Sequence, residues 1–143
     1  MCEPSCIFCN YEEKYIIKQT RHAVATYFPR AIKKGHLVVA VKEHLPTFTD
    51  ISTEQAQEVI TLALEMSKAM EKLLGAEKTY IAAIGDKDLH FHIHLFPKLS
   101  TDAPMGIHIM TDSGWKAEVG QDVSEDEVKE LISELKAVIN VKP

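Results

Sequence analysis

The chain has 143 residues, 45% of them hydrophobic, and a formal net charge of -5. That length suits one domain (1–143) with a core of its own, and the acidic balance argues against a general nucleic-acid-binding face. No apolar run approaches the roughly 18 residues of a membrane span, and no charged leader with an apolar stretch marks a signal peptide, so a cytoplasmic protein with no membrane partner is expected.

All three cysteines, Cys2, Cys6 and Cys9, fall in the first nine residues. An odd number crowded at one end is a poor disulfide framework. In a reducing compartment such a cluster more often binds metal or does redox work. Two short strands follow, "KYIIK" (14–18) and "HAVATYF" (22–28), with a turn at 19–21. "GHLVVAVK" (35–42) is a third, rich in β-branched residues. Ser52 and Gln55 make a capping box that opens a helix. Val59, Leu62, Met66, Met70 and Leu73 form its apolar stripe, and Gly75 suits its C-terminal cap.

"TYIAAIG" (79–85) is the fourth strand and "HFHIHLFPK" (90–98) the fifth, stopped by Pro97. The short "GDKDL" between them predicts an antiparallel hairpin. Residues 99–123 mix Pro, Gly and polar residues, with one apolar piece, "GIHIM" (106–110), as a candidate strand. Ser124 and Glu127 box a second helix, whose stripe is Val128, Leu131, Leu135 and Val138. The pattern is α+β, an antiparallel sheet of about five strands with two packed helices.

Residues 90–96 read HFHIHLF. Strand side chains alternate between faces, so His90, His92 and His94 share one face, about 6.5–7 Å apart by strand rise. Phe91, Ile93 and Leu95 then face the helices. A polar outer face that happens to be histidine explains one imidazole more easily than three in strict alternation. Two chemistries are open. Imidazole is the commonest metal ligand, and His-x-His on a strand can give one ion two ligands. Imidazole can also act as nucleophile, general acid or phosphate-binding cation.

"HFHIHLF" followed by Pro97 resembles the histidine-triad (HIT) motif, His-φ-His-φ-His-φ-φ with φ apolar. "GHLVVAVKEHL" (35–45) is similar to that superfamily's Gly-His-apolar segment ending in a Lys-x-His turn. "CIFC" (6–9) resembles the Cys-x-x-Cys of its zinc-containing bacterial members. These pieces keep the family's order and spacing over about the first hundred residues.

The resemblance implies a HIT-like fold and a nucleotide hydrolase or transferase. His92 would attack the α-phosphorus and form a nucleotidyl-histidine, which water or another acceptor then attacks. His94 would serve the phosphate oxygens or the leaving group, and His36 would support the phosphate site. Nucleoside phosphoramidates and dinucleoside polyphosphates are the implied substrates. A homodimer is implied, and no catalytic metal. The resemblance also implies a structural zinc held by Cys6, Cys9, His44 and His90, with Cys2 left over and His22 and His108 as ordinary surface or loop residues.

Two positions depart from the family pattern. Phe28 stands eight residues before His36, where many members carry an Asp or Asn that binds the ribose hydroxyls. Lys87 stands near a phosphate-touching serine of many members. Trp115, the only tryptophan, falls where the family's C-terminal segment often nears the substrate pocket. With Lys87 and Phe28 it completes the candidate substrate-binding set. Two other functional classes fit the same residues. One is a zinc-dependent hydrolase with the triad histidines as metal ligands; the other is a nucleotide-binding regulatory module with little turnover. Cys2-x3-Cys6-x2-Cys9 also has the spacing of a radical S-adenosylmethionine iron–sulfur motif, but the chain is too short for that family's barrel.

Overall fold

The structure, a computed structural model, describes residues 3–102 and 123–140. Five strands form one antiparallel sheet: β1 (Ile16–Gln19), β2 (Ala23–Tyr27), β3 (Leu37–Val41), β4 (Lys78–Ala82) and β5 (His92–Lys98), in the order β1-β2-β3-β5-β4. Among the described residues two α-helices, α1 (Thr53–Leu74) and α2 (Glu125–Ile139), accompany the sheet in an α+β fold, and both contact it. The predicted segment 106–110 and Trp115 lie outside the described residues.

Local sequence explains the helices. Ser52 accepts from the Gln55 backbone N–H while the Gln55 side chain accepts from the Ser52 N–H, and Ser124 and Glu127 repeat this at α2. Gly75 ends α1 in the left-handed region at φ 68°, a conformation that costs other residues. No described helix is long and apolar enough to cross a membrane.

The sheet buries both faces, which is why β2 and β3 read as continuous apolar runs. On one face Ala23, Ala25, Tyr27, Leu37, Val39, Ile93 and Leu95 pack with the α1 and α2 stripes. On the other, Val24, Phe28, Val38 and Ala40 pack under the amino-terminal residues Cys6 and Phe8. The alternation expected of HFHIHLF holds: Phe91, Ile93 and Leu95 join the helix-side core.

Three strand details differ from the sequence expectation. A 3-10 turn, Glu13–Tyr15, takes the first part of 14–18, so β1 starts at Ile16. The β4–β5 connection is longer than GDKDL, because β4 ends at Ala82 and β5 starts at His92. Pro97 lies inside β5, opposite Thr79, and does not stop it. Its carbonyl accepts from the Lys33 ammonium on the β3 side, where β3 has ended, so its missing N–H on that side breaks no ladder bond.

Pro97 also fixes its neighbour. A Cβ on Gly35 would sit 2.8 Å from Pro97 Cγ and 3.0 Å from Leu74 Cδ1, and Gly35 has φ 87°. Its N–H donates to the Tyr27 hydroxyl at 3.1 Å. Glycine is therefore required beside His36 by both space and backbone angle.

Candidate active site

Register brings the histidines together. In an antiparallel pair, directly opposed residues share a face. Ala40 opposes His92 and Val38 opposes His94, so small and medium side chains from β3 leave room for the imidazoles. His36 has the same parity as Val38 and Ala40; its ring lies 4.3 Å from that of Phe96 and 5.1 Å from that of His94. The rings of His92 and His94 stand 4.7 Å apart, edge to face, closer than strand rise alone would set them. All three imidazoles and that of His90 are buried, not displayed.

The hydrogen bonds have one consistent direction, and the two backbone ends set it. The Ile32 N–H can only donate, so His36 Nδ1 accepts it at 3.1 Å. Neutral His36 then carries its proton on Nε2 and donates to His94 Nδ1 at 2.9 Å. His94 Nε2–H donates in turn to His92 Nε2 at 3.1 Å. His92 keeps its proton on Nδ1 and donates it to the His90 carbonyl at 2.7 Å. The tautomers follow from this pattern of partners.

Burial favours the neutral rings. It holds His36 well below the ordinary imidazole pKa, reinforced by His94 and His92. It lowers His94 to about 3, reinforced by His92 and Arg30. His92 is also lowered by burial, against opposing effects of the His90 carbonyl and of Asp88.

Phe8, from the CIFC segment, stacks on His92 with ring centroids 4.2 Å apart. Phe28 is buried, 4.7 Å from the His36 ring and 5.2 Å from that of His94. At 1% exposure it packs against the imidazoles and offers almost no surface of its own. Lys87 is exposed on the β4–β5 connection. Its neighbour Asp88 turns inward and meets the Arg30 guanidinium at 2.7 Å. Sequence reading gave no site role to Phe8, Arg30 or Asp88. Only Phe8 carried a signal, its place between two candidate metal ligands.

Beside the triad, Cys6, Cys9, His44 and His90 bring four donor atoms within 4.8 Å of one another. His90 Nδ1 lies 3.4 Å from Cys6 Sγ, 3.5 Å from Cys9 Sγ and 3.2 Å from His44 Nδ1. His90 Nε2–H donates to the Val41 carbonyl at 2.6 Å, which turns the bare Nδ1 toward the sulfurs. Two sulfurs and two imidazole nitrogens are a donor set suited to tetrahedral zinc. Cys6 is free, whereas Cys9 is disulfide-bonded in this structure. Zinc needs both sulfurs as thiolates, so the four-donor site belongs to the reduced chain. His22 lies in the connection between β1 and β2, with its Nε2 3.5 Å from Glu54 and 3.7 Å from Glu58.

Residues 11–101 match the HIT domain family. The chain belongs to the histidine-triad family. Among HIT relatives, an uncharacterized HIT-like protein of Mycoplasma genitalium is 28% identical over 114 residues, covering 73% of this chain and 81% of its own. An adenosine 5'-monophosphoramidase of Schizosaccharomyces pombe is 25% identical over 144 residues, 94% of this chain and 98% of its own. A zinc-bound HIT family protein from Mycobacterium smegmatis superposes with a TM-score of 0.72 at 20% identity, covering 94% of this chain and 93% of that one, which shows the shared HIT fold.

Proposed function

We propose that this HIT protein is a nucleotide hydrolase or transferase acting at the α-phosphate through a covalent nucleotidyl-His92 intermediate. The observation that carries the reading is the 2.7 Å bond from His92 Nδ1–H to the His90 carbonyl, which leaves the Nε2 lone pair for phosphorus. Nucleoside phosphoramidates are the first substrates to test, because the Schizosaccharomyces pombe relative is named as a monophosphoramidase. Dinucleoside polyphosphates come second.

In the first step His92 Nε2 forms a bond to the α-phosphorus as the bond to the leaving group breaks. Positive charge grows on the ring, and the His90 carbonyl, already accepting from Nδ1, stabilises it. Once phosphorus occupies His92 Nε2, the Nε2–H of His94 is released from that contact and turns to the leaving atom. A phosphoramidate protonated on its nitrogen leaves as the neutral amine, hydrogen-bonded by the Nε2–H of His94, which keeps its proton. In the second step water, or another acceptor, attacks the same phosphorus, the P–N bond to His92 breaks with its electron pair returning to Nε2, and the attacking molecule gives its proton to solvent. Splitting one displacement into two is nucleophilic catalysis. His36 is a positioning residue here: it acts through His94 and fixes that ring's tautomer.

Cys6, Cys9, His44 and His90 would hold a structural zinc, which when bound cross-links the amino terminus to the sheet. His90 belongs to both arrangements: its side chain faces the metal donors and its carbonyl receives His92.

Incubation with an α-labelled adenosine phosphoramidate, followed by quenching and peptide mapping, tests the reading. The label is expected on His92, absent in His92→Asn, and unaffected by chelator treatment of the folded protein. Activity lost to a chelator with the fold intact indicates metal ligation by the triad instead. Tight nucleotide binding without turnover or label indicates a binding module.

A further inference from the structure

A nucleotide brings negative charge to phosphorus, yet the imidazoles that would face it are neutral. Burial lowers the pKa of His36 and His94. Neutral donors can orient a phosphate, but a fixed positive charge stabilises it far more strongly where water is excluded. Such a charge must come from outside the triad.

Arg30 stands in the right place. It lies on the β2–β3 connection, with its guanidinium carbon 5.3 Å from the centroid of the Phe28 ring. The same ring meets His94 edge to face and packs on His36. Phe28 is thus a flat support with the arginine on one part of it and the active-site imidazoles on another. Arg30 Nη2 donates to Asp88 Oδ2 at 2.7 Å, and Asp88 comes two residues before His90. The positive charge of Arg30 opposes protonation of His94, so it is felt at that ring. Lys33 and Lys87 are placed differently: Lys33 is committed to Asp102 and the Pro97 carbonyl, and Lys87 is exposed.

We propose that Arg30 is the phosphate-binding cation of this site, held beside it by Asp88 until an anionic nucleotide arrives. The inference rests on the nucleotidyl-transfer reading above and extends it to the group that neutralises the substrate. A guanidinium has five N–H donors in a planar fork, and the Asp88 contact uses one of them. The remaining edge can take two phosphate oxygens at once. With a side chain 39% exposed against 18% for Asp88, Arg30 is the partner open to solvent and to an incoming ligand. The departure at Phe28 gains a reason: the position that elsewhere in the family accepts from ribose here supports an arginine.

The test compares wild type with Arg30→Met, Arg30→Lys and Lys34→Met, the last removing an exposed charge from the same connection. Three quantities are measured: the single-turnover rate of labelling from α-labelled adenosine phosphoramidate, kcat/KM for the same compound, and the Kd of adenosine monophosphate. Arg30→Met is expected to lose about tenfold or more in kcat/KM and in nucleotide affinity. Arg30→Lys should recover part of this, having the charge without the fork. Lys34→Met should match wild type, and matched thermal melts exclude a folding defect. If wild type labels His92 and Arg30→Met labels it at the same rate with the same affinity, Arg30 has no such role. If wild type gives no label, the covalent reading fails while monophosphate affinity still decides on Arg30: an unchanged Kd overturns the proposal and a weakened one upholds it.

Discussion

His36 Nε2 lies 2.9 Å from His94 Nδ1, although the two residues are 58 positions apart in the chain. The contact joins the β2–β3 connection to β5 and sets the tautomer of His94. His36→Phe keeps a ring in the pocket and removes this donor. It should lower kcat by about 10- to 100-fold, the usual scale for a residue that orients a functional one. The KM for a nucleoside phosphoramidate should change much less. Steady-state kinetics at saturating substrate, with a thermal melt as fold control, checks this; an unchanged kcat would remove His36 from the mechanism.

Gly35 allows that approach. Gly35→Ala places a methyl 2.8 Å from Pro97 Cγ and asks alanine to hold φ 87°. The expected destabilisation is about 1–3 kcal/mol from strain and overpacking together. Urea unfolding at neutral pH measures it, and a variant as stable as wild type would mean that the β5 end relaxes freely.

Protonation links the same cluster to stability. The unfolded chain titrates His94 near pH 6.5, whereas burial, reinforced by His92 and Arg30, lowers it to about 3 in the folded protein. Between those values the unfolded state holds more protons, so stability rises with pH there. The contribution is complete above pH 6.5, falls as pH drops toward 3, and is flat below. The limiting slope is about 1.4 kcal/mol per pH unit for one such group. Unfolding free energies at several pH values between 5 and 7 should show a shallower slope in His94→Asn than in wild type. Parallel slopes would show that His94 does not enter the fold uncharged.

Reduced protein should carry about one zinc per chain, bound by the two sulfurs and two imidazoles. Metal analysis after dialysis in reductant should find this in wild type and lose it in the double variant Cys6→Ser/Cys9→Ser. Strong chelation should lower the melting temperature of wild type and leave the variant's unchanged. Equal metal content in both proteins would place the ion elsewhere.

Local chemistry wrote much of this protein into its sequence. Ser52 with Gln55, and Ser124 with Glu127, cap helices by contacts three residues apart, so both starts were readable without a fold. The period-2 alternation of HFHIHLF assigned Phe91, Ile93 and Leu95 to the core because strand geometry leaves no other arrangement. The same motif, with CIFC and GHLVVAVKEHL, carried the family.

What the tertiary structure decided depends on neighbours that sequence distance hides. Pro97 looked like a strand end, yet β3 stops short of it and no ladder bond is lost, a fact of register alone. His92 takes its tautomer from a chain that begins at the Ile32 N–H and passes through His36 and His94, residues joined only by the pairing of β3 with β5. Arg30 and Asp88 meet across 58 residues, and neither has a spacing that reveals the other. Motifs of covalent spacing are legible one segment at a time; charge pairing and proton placement appear only when the sheet brings those segments together.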